Sequence, residues 1–481
     1  MELGVMKKLI RRCQRTYRAF VRESLRAERY YRKKNDILTR GTKAPGYDNP
    51  LHAADNRIPG NFYNILVNQK ASYLFTSPPV FDTGEKELNA SIAKILGDDF
   101  AKACKNLCIN ASNCVTAWMH YWINEQGEFR YAVVDSKQCI PVWTNDLERE
   151  LSGFLRIYDQ TNEDGKVFNV YEYWDRTSCW SFCKENRAGL DTLQQFDSYS
   201  HRPYDPLNTF DGSAVYEHGL GEVPFIPFFN NAECGNDLND IKELIDAYDK
   251  VYSGYLNDLE DIQEVIFVLS GYEGEKLSEF LHKLKKYKTI KVDGGEDGKG
   301  GLDTLTIDIP VEAREKMLAM TRKAIFEQGM GIDPDPQNFG NSSGVALSYL
   351  YSLLEIKAGL METEFRSGFG RLVKAICRYL GKEPDGVGQI WTRTSVRNDS
   401  ELAAIASQSV GVISRRTIAA NHPWVDDVEK ELAQIRQEED AEGAGPYDPF
   451  EQKSGSESGQ EKKQQKAREE EEGNPDGIEK E

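Results

Sequence analysis

The chain has 481 residues and a mass of 54.6 kDa, with 60 Lys and Arg against 78 Asp and Glu, a formal net charge of −18. At ~100–200 residues per domain this length predicts two to four domains with a sizeable core. Hydrophobic residues make up 39%, and the longest strictly aliphatic or aromatic run, Val265 to Leu269, is five residues, far short of a membrane helix.

The N-terminal stretch MELGVMKKLIRRCQ lacks an apolar core with a small-residue cleavage site, so a cytosol-like compartment and no membrane are expected. Residues 1–50 hold 14 Lys/Arg against 5 Asp/Glu, a net of +9. Residues 425–481 carry −11, which leaves −16 for residues 51–424, so the body is acidic in its own right. In the basic arm, Arg11, Arg15, Arg18, Arg22, Arg26 and Arg29 recur every three or four residues and line one face of a helix. Such a stripe grips phosphates or an acidic protein, or is simply a solvated face with Ile10, Tyr17, Val21 and Leu25 on the buried side.

Nine cysteines scattered in an odd number do not form a disulfide framework. Cys104, Cys108 and Cys114 lack the paired spacing of a zinc site and read as small hydrophobes on a buried helix face. From about Trp118 to Cys183, short aromatic and β-branched runs punctuated by turn signals predict an antiparallel meander. Gly221 to Asn231, with two prolines in an apolar run, reads as an extended connector.

A long amphipathic helix is then predicted from about Asp237. Its apolar stripe runs through Leu238, Ile241, Ile245, Tyr248, Tyr252, Tyr255 and Leu259, and Asp240, Glu243, Asp246, Asp249, Asp258 and Asp261 lie on its other side. Residues 265–310 read as a small α/β module, too short to stand alone comfortably. Pro310 opens a second helix, which stops at the Pro, Gly and Asn-rich loop GIDPDPQNFGNSSG. A long helix follows, then two helical segments with a break at His422 and Pro423, and an acidic tail too poor in aliphatic residues to order itself.

No P-loop, H-E-x-x-H or G-x-G-x-x-G after a strand is present. Gly340 to Gly344 fits G-x-S-x-G by letter, but no buried strand precedes it and His422 is the one later histidine, so Ser342 or Ser343 reads as a helix cap. Neither catalysis, a metal nor a cofactor is expected.

The order of acidic helix, α/β insert, second helix, Gly/Asn loop and long helix is joined by particular phrases. These are NRIPGNFYNILVNQKASYLFTSPPVF, VPFIPFFNN before the acidic helix, FGNSSGVALSYLYSLLEIKA, and ISRRTIAANHPWVDDVEKELAQI. Together they resemble the portal proteins of tailed bacteriophages, the type of long-tailed phages of Gram-positive hosts. The resemblance implies an α+β, mainly helical fold that forms a ring, typically of twelve subunits, around viral double-stranded DNA at one capsid vertex. Residues 1–50 would be a basic arm and 51–236 a β-rich wing. Residues 237–264 and 311–331 would be paired stem helices, and 265–310 a clip docking the terminase large subunit and later the head-completion adaptor. The tunnel loop, 332–343, would present Gln337, Asn338, Phe339, Gly340, Asn341 and Ser342 to DNA. Residues 344–395 would return to the wing, 396–440 would be the crown, and 441–481 a disordered tail. Major capsid and scaffolding proteins would be further partners, in the virion and, during assembly, the host cytoplasm. An acidic stem suits a conduit that must not grip a polyanion. The competing expectations are another minor capsid or head-tail connector protein without a channel, and a hydrolase using Ser342 and His422.

Overall fold

The computed structural model describes residues 1–39, 54–161, 164–196, 215–262, 266–270, 279, 301–305, 310–335, 344–384, 386–393, 399–422, 424–425 and 427–443. It divides into two compact units, residues 1–396 and 397–481. In the first, helix α1 (Leu3–Tyr31) precedes α2 (Phe62–Leu74), strand β1 (Val80–Asp82), α3 (Lys86–Leu96) and α4 (Phe100–Cys114). The β-rich part holds β2 (Thr116–Ile123), β3 (Phe129–Val134), β4 (Cys139–Trp143), β5 (Leu151–Thr161), β6 (Val167–Trp174), β7 (Ser178–Glu185), β8 (Gln194–Gln195), β9 (Val215–Glu217) and β10 (Phe225–Phe229). Then come α5 (Lys242–Ile262), β11 (Ile266–Ser270), β12 (Gly301–Leu305), α6 (Val311–Gln328), α7 (Gly344–Tyr379) and β13 (Gly388–Ile390). The second unit contains α8 (Asp399–Gln408), α9 (Arg415–Asn421) and α10 (Val428–Gly443), with the Ser414 hydroxyl accepting from Thr417 N to cap α9.

The mixture of helix and sheet is the α+β class expected. The meander splits into two sheets. Strands β4 to β8 run in order with β9 also on β7, while β2 and β3 form a three-stranded sheet with β10. β10 corrects the expectation of a connector at Gly221 to Asn231, because Phe225–Phe229 pairs antiparallel with β2. Tyr121 N donates to Pro224 O and Asn230 N donates to Val115 O, so even-numbered residues bond inward and Pro227 turns its donorless nitrogen outward. An edge strand tolerates proline in that register.

The largest core lies between α2 to α4, the β2, β3 and β10 sheet, and α7. Phe365 and Phe369 of α7 are both 0% exposed against Phe228 of β10, and the neighbouring Gly368 lets the backbone approach the Phe228 ring. A second core joins Ala27 and Tyr30 of α1, Tyr63, Leu66 and Val67 of α2, Ile241 and Ile245, and Ile325 and Phe326 of α6. Met6 and Ile10 of α1 pack separately on Leu155, Tyr171 and Phe182 of the large sheet. The buried side of α1 is thus Met6, Ile10, Ala27 and Tyr30, whereas Leu25, expected there, is 45% exposed. Cys104, Cys108 and Cys114 are all buried on α4, and burial pushes the Cys108 thiol up to about 12. No described helix is long and apolar enough to cross a membrane.

Candidate functional site

Helices α5 and α6 leave the second core together and carry β11 and β12, paired antiparallel, between them in sequence. The remainder of the predicted α/β module, residues 271–300, lies outside the described positions apart from residue 279. Along the helical pair the Arg314 guanidinium donates to Asp258 and lies over the Tyr255 ring, 5.4 Å from its centroid. The apolar stripe on α5 is longer than its own subunit covers. Ile241 and Ile245 are buried, but Tyr252 and Leu259 are each 42% exposed.

The six stem acids do not share one environment. Asp240 and Glu243 are exposed. Asp246 accepts from the Tyr30 hydroxyl and from Lys242 Nζ at 2.5 Å. Asp258 pairs with Arg314, and the side chain of Asp261 lies outside the described set. Asp249 is the correction: it is 0% exposed and accepts from Gly60 N and Asn35 Nδ2, each at 2.7 Å, so it lines no channel. It stands eleven residues after Leu238, about three helical turns, and so returns to the buried face.

Asp249 is one rung of a strap. Ser253 Oγ takes Ile58 N at 3.0 Å and Asn257 Oδ1 takes Asn56 N at 2.6 Å, so residues 56–60 run along α5 on side chains four apart. Burial, with a smaller contribution from Asp246 and opposed by Asn35, Gly60 and Lys33, raises the Asp249 carboxyl to about 6. The folded state therefore holds this proton more tightly than the unfolded chain. The contribution is complete below the ordinary carboxylate range and is lost as pH rises through about 6. Wild type should gain on the order of 2 kcal/mol relative to Asp249→Asn between pH 7 and 4, read from urea unfolding at each pH. Parallel pH profiles would refute this.

Sequence reasoning missed the ionic cluster ahead of α5, where α2, α7 and the end of α6 meet. Lys70 Nζ of α2 lies 2.5 Å from Asp237 Oδ2 and 2.8 Å from Asn230 Oδ1, and Asn230 Nδ2 donates to Asp237 Oδ1 at 2.8 Å. Lys357 of α7 adds a second ammonium 3.4 Å from Asp237 and donates to Gly329 O at 2.8 Å, at the end of α6. Although burial opposes it, the pair Lys357 and Lys70 holds the Asp237 carboxyl well below its usual range. The available signal was Lys70 itself, a lone charge inside the apolar run FYNILVNQKASYLF.

Gln337 to Ser342 lie outside the described residues. Their approach is anchored. Gln69 donates to Ile332 O at 2.7 Å and accepts from Ile332 N at 3.0 Å, and Arg322 grips Asp333 at 2.6 Å. His422 belongs to the second unit. On α1, Arg11 pairs with Asp191 and Arg29 with Asp36, while Arg18, Arg22 and Arg26 are exposed and have no ion-pair partner among the described residues. Arg15 is helical, and its side chain lies outside the described set.

The model of the family "Phage portal protein, SPP1 Gp6-like" matches residues 10–444. A portal protein of Clostridium phage phiCD119 is 41% identical over 425 residues, covering 85% of this chain and 90% of the relative. The portal protein of Bacillus phage SPP1 is 32% identical over 429 residues, 86% of this chain and 83% of the relative. A solved structure of the neck of a native GTA particle, computed with C12 symmetry, aligns at a TM-score of 0.40 and 10% identity over 77% of this chain and 96% of that one, too distant to add to the assignment. With a family match running from α1 to α10 and two such relatives, the chain belongs to the SPP1 Gp6-like family of phage portal proteins.

Proposed function

We propose that copies of this chain close into a ring, typically of twelve, at one vertex of a phage capsid, and that double-stranded DNA passes through the ring during packaging and ejection. The observation that carries this reading is α5 and α6 leaving one core together with a strand pair between them, in a chain of the portal family. Residues 51–236 then form the wing, 237–264 and 311–331 the stem, and 265–310 the clip that docks the terminase large subunit and later the head-completion adaptor. The segment 344–395 returns to the wing and 396–440 forms the crown. Exposed Asp240 and Glu243, with Asp258 and Asp261 nearer the clip, keep the conduit from gripping phosphates. The ring acts as a structural hub without catalysis, meeting capsid and scaffolding proteins in the host cytoplasm before it becomes part of the virion.

Light scattering with negative-stain class averages of the purified chain tests the ring. A closed ring of about a dozen copies with a central hole is expected. A monomer or dimer that persists with capsid and scaffolding proteins present overturns it. Gln69 and Arg322 anchor Ile332 and Asp333, where the segment 332–343 begins, and its uncharged residues Gln337 to Ser342 would touch DNA without binding it tightly. Asn338→Lys adds a phosphate contact and should slow packaging in assembled rings by several-fold; an unchanged packaging rate counts against DNA contact by the loop.

A further inference from the structure

We propose that the outer face of α1 is a second binding site for duplex DNA, distinct from the tunnel loop, in which Arg18, Arg22 and Arg26 hold backbone phosphates without reading sequence. The proposal rests on the portal reading for the identity of the polymer. Three observations carry it.

First, the middle of the stripe, Arg18, Arg22 and Arg26, has no ion-pair partner among the described residues. Met6, Ile10, Ala27 and Tyr30 bury one side of the helix, and the arginines stand on the opposite side. Arg18, Arg22 and Arg26 are exposed, and no described carboxylate neutralises them. Arg11, on the same face, has one partner, Asp191, whose side chain is itself 88% exposed and readily exchanged for a phosphate.

Second, the face is long. From Arg11 to Arg26 is fifteen steps along one uninterrupted helix, about 22 Å at the helical rise. A duplex of that length carries about 13 phosphate charges. On the open helix surface Gln14, Tyr17 and Val21 flank Arg11, Arg18 and Arg22. A cleft against β4 and β5 adds Arg12 and Arg149, with Asp146 as the carboxylate in its lining.

Third, the chemistry suits a nucleic-acid backbone better than a protein. A stable protein interface centres on aromatic or aliphatic anchors, whereas the large exposed apolar side chains of α1 are Val5 and Leu25 alone. Guanidinium groups bind phosphate oxygens bidentately. Residues 51–424 carry a net of −16 and repel the same duplex, so the arm supplies attraction that the rest of the chain lacks.

The test uses the full chain, a fluorescent 30-bp duplex and anisotropy across a salt series, with ring size measured by light scattering on every sample. The variant is R18Q/R22Q/R26Q. Its control, K86Q/K102Q/K105Q, removes the same charge from exposed lysines of α3 and α4. Three lost phosphate contacts lower the slope of log K against log salt by about 2.7. From 50 to 200 mM salt, wild type should therefore lose about 40-fold more affinity than the arginine variant, and the control should follow wild type. Equal slopes in the arginine variant and the control overturn the site. A variant that loses ring assembly while its subunits bind DNA with the wild-type slope makes the stripe a contact between copies, which also overturns it. Intact rings with wild-type slope remove this proposal and leave the portal reading standing; absent rings in wild type itself count against that reading instead.

Discussion

Asp237→Ala should cost the folded subunit about 3–5 kcal/mol, among the largest single-residue losses expected in this protein. Lys70 and Asp237 have side chains only 1% and 7% exposed, and Lys357 is 13% exposed. Removing the carboxylate leaves two ammonium groups facing one another without a counter-charge, and Asn230 Nδ2 with Gly235 O as its remaining acceptor. Urea unfolding at fixed protein concentration, followed by tryptophan fluorescence, measures the loss. A change below ~1 kcal/mol would show that water reaches the cluster and screens it. Lys70→Met combined with Asp237→Leu should recover part of the loss, because a buried ion pair replaced by apolar groups of similar volume is often near neutral. The pH dependence follows from the depressed Asp237 carboxyl. Its contribution is present above the ordinary carboxylate range and is lost only as pH falls well below it. Asp249 and Asp237 thus oppose each other: acid strengthens the strap on α5 and, further down, releases the Lys70, Asp237 and Lys357 cluster.

Phe369→Ala should destabilise by a similar amount, about 3–5 kcal/mol. Phe369 is 0% exposed at the meeting point of α7, β10, α2 and α4. Its ring lies 4.9 Å from Phe228, 5.6 Å from Phe100, 5.8 Å from Trp391 and 6.1 Å from Phe81. No neighbour can collapse into the space without abandoning its own contacts, so most of the ring volume stays empty. Calorimetry of the variant against wild type gives the comparison, and a loss under ~1 kcal/mol would mean that α7 slides to refill the site. Since α7 also carries Lys357, its displacement would loosen the Gly329 end of α6 as well.

Much of the layout is legible along the chain. Periodicity and punctuation locate α5, α6 and the long helix α7, because proline, glycine and apolar spacing act within a few residues of where they stand. Pro310 immediately precedes α6, as its missing amide donor requires. The phrases from Asn56 onward that resemble portal proteins point to the family that the comparisons establish. The arginine stripe is equally local, a matter of angle around one helix axis.

Three features required the tertiary structure. Pro224 and Pro227 argue against a strand until β2 is placed beside them: Pro224 stands just ahead of β10, and Pro227 turns its donorless nitrogen away from β2. Asp249 sits among five other acids in the sequence, and only the strap at Asn56 to Gly60, 189 residues away at its closest rung, makes it a buried acceptor. Lys70, Asp237 and Lys357 come from three distant segments and meet at one point. The sequence by itself determined the order of the helices, the family and the angular spacing of residues around each helix axis. The fold alone decided which faces are covered and by what, because side-chain periodicity is measured against an element's own axis, whereas burial and charge pairing depend on neighbours brought in from far along the chain.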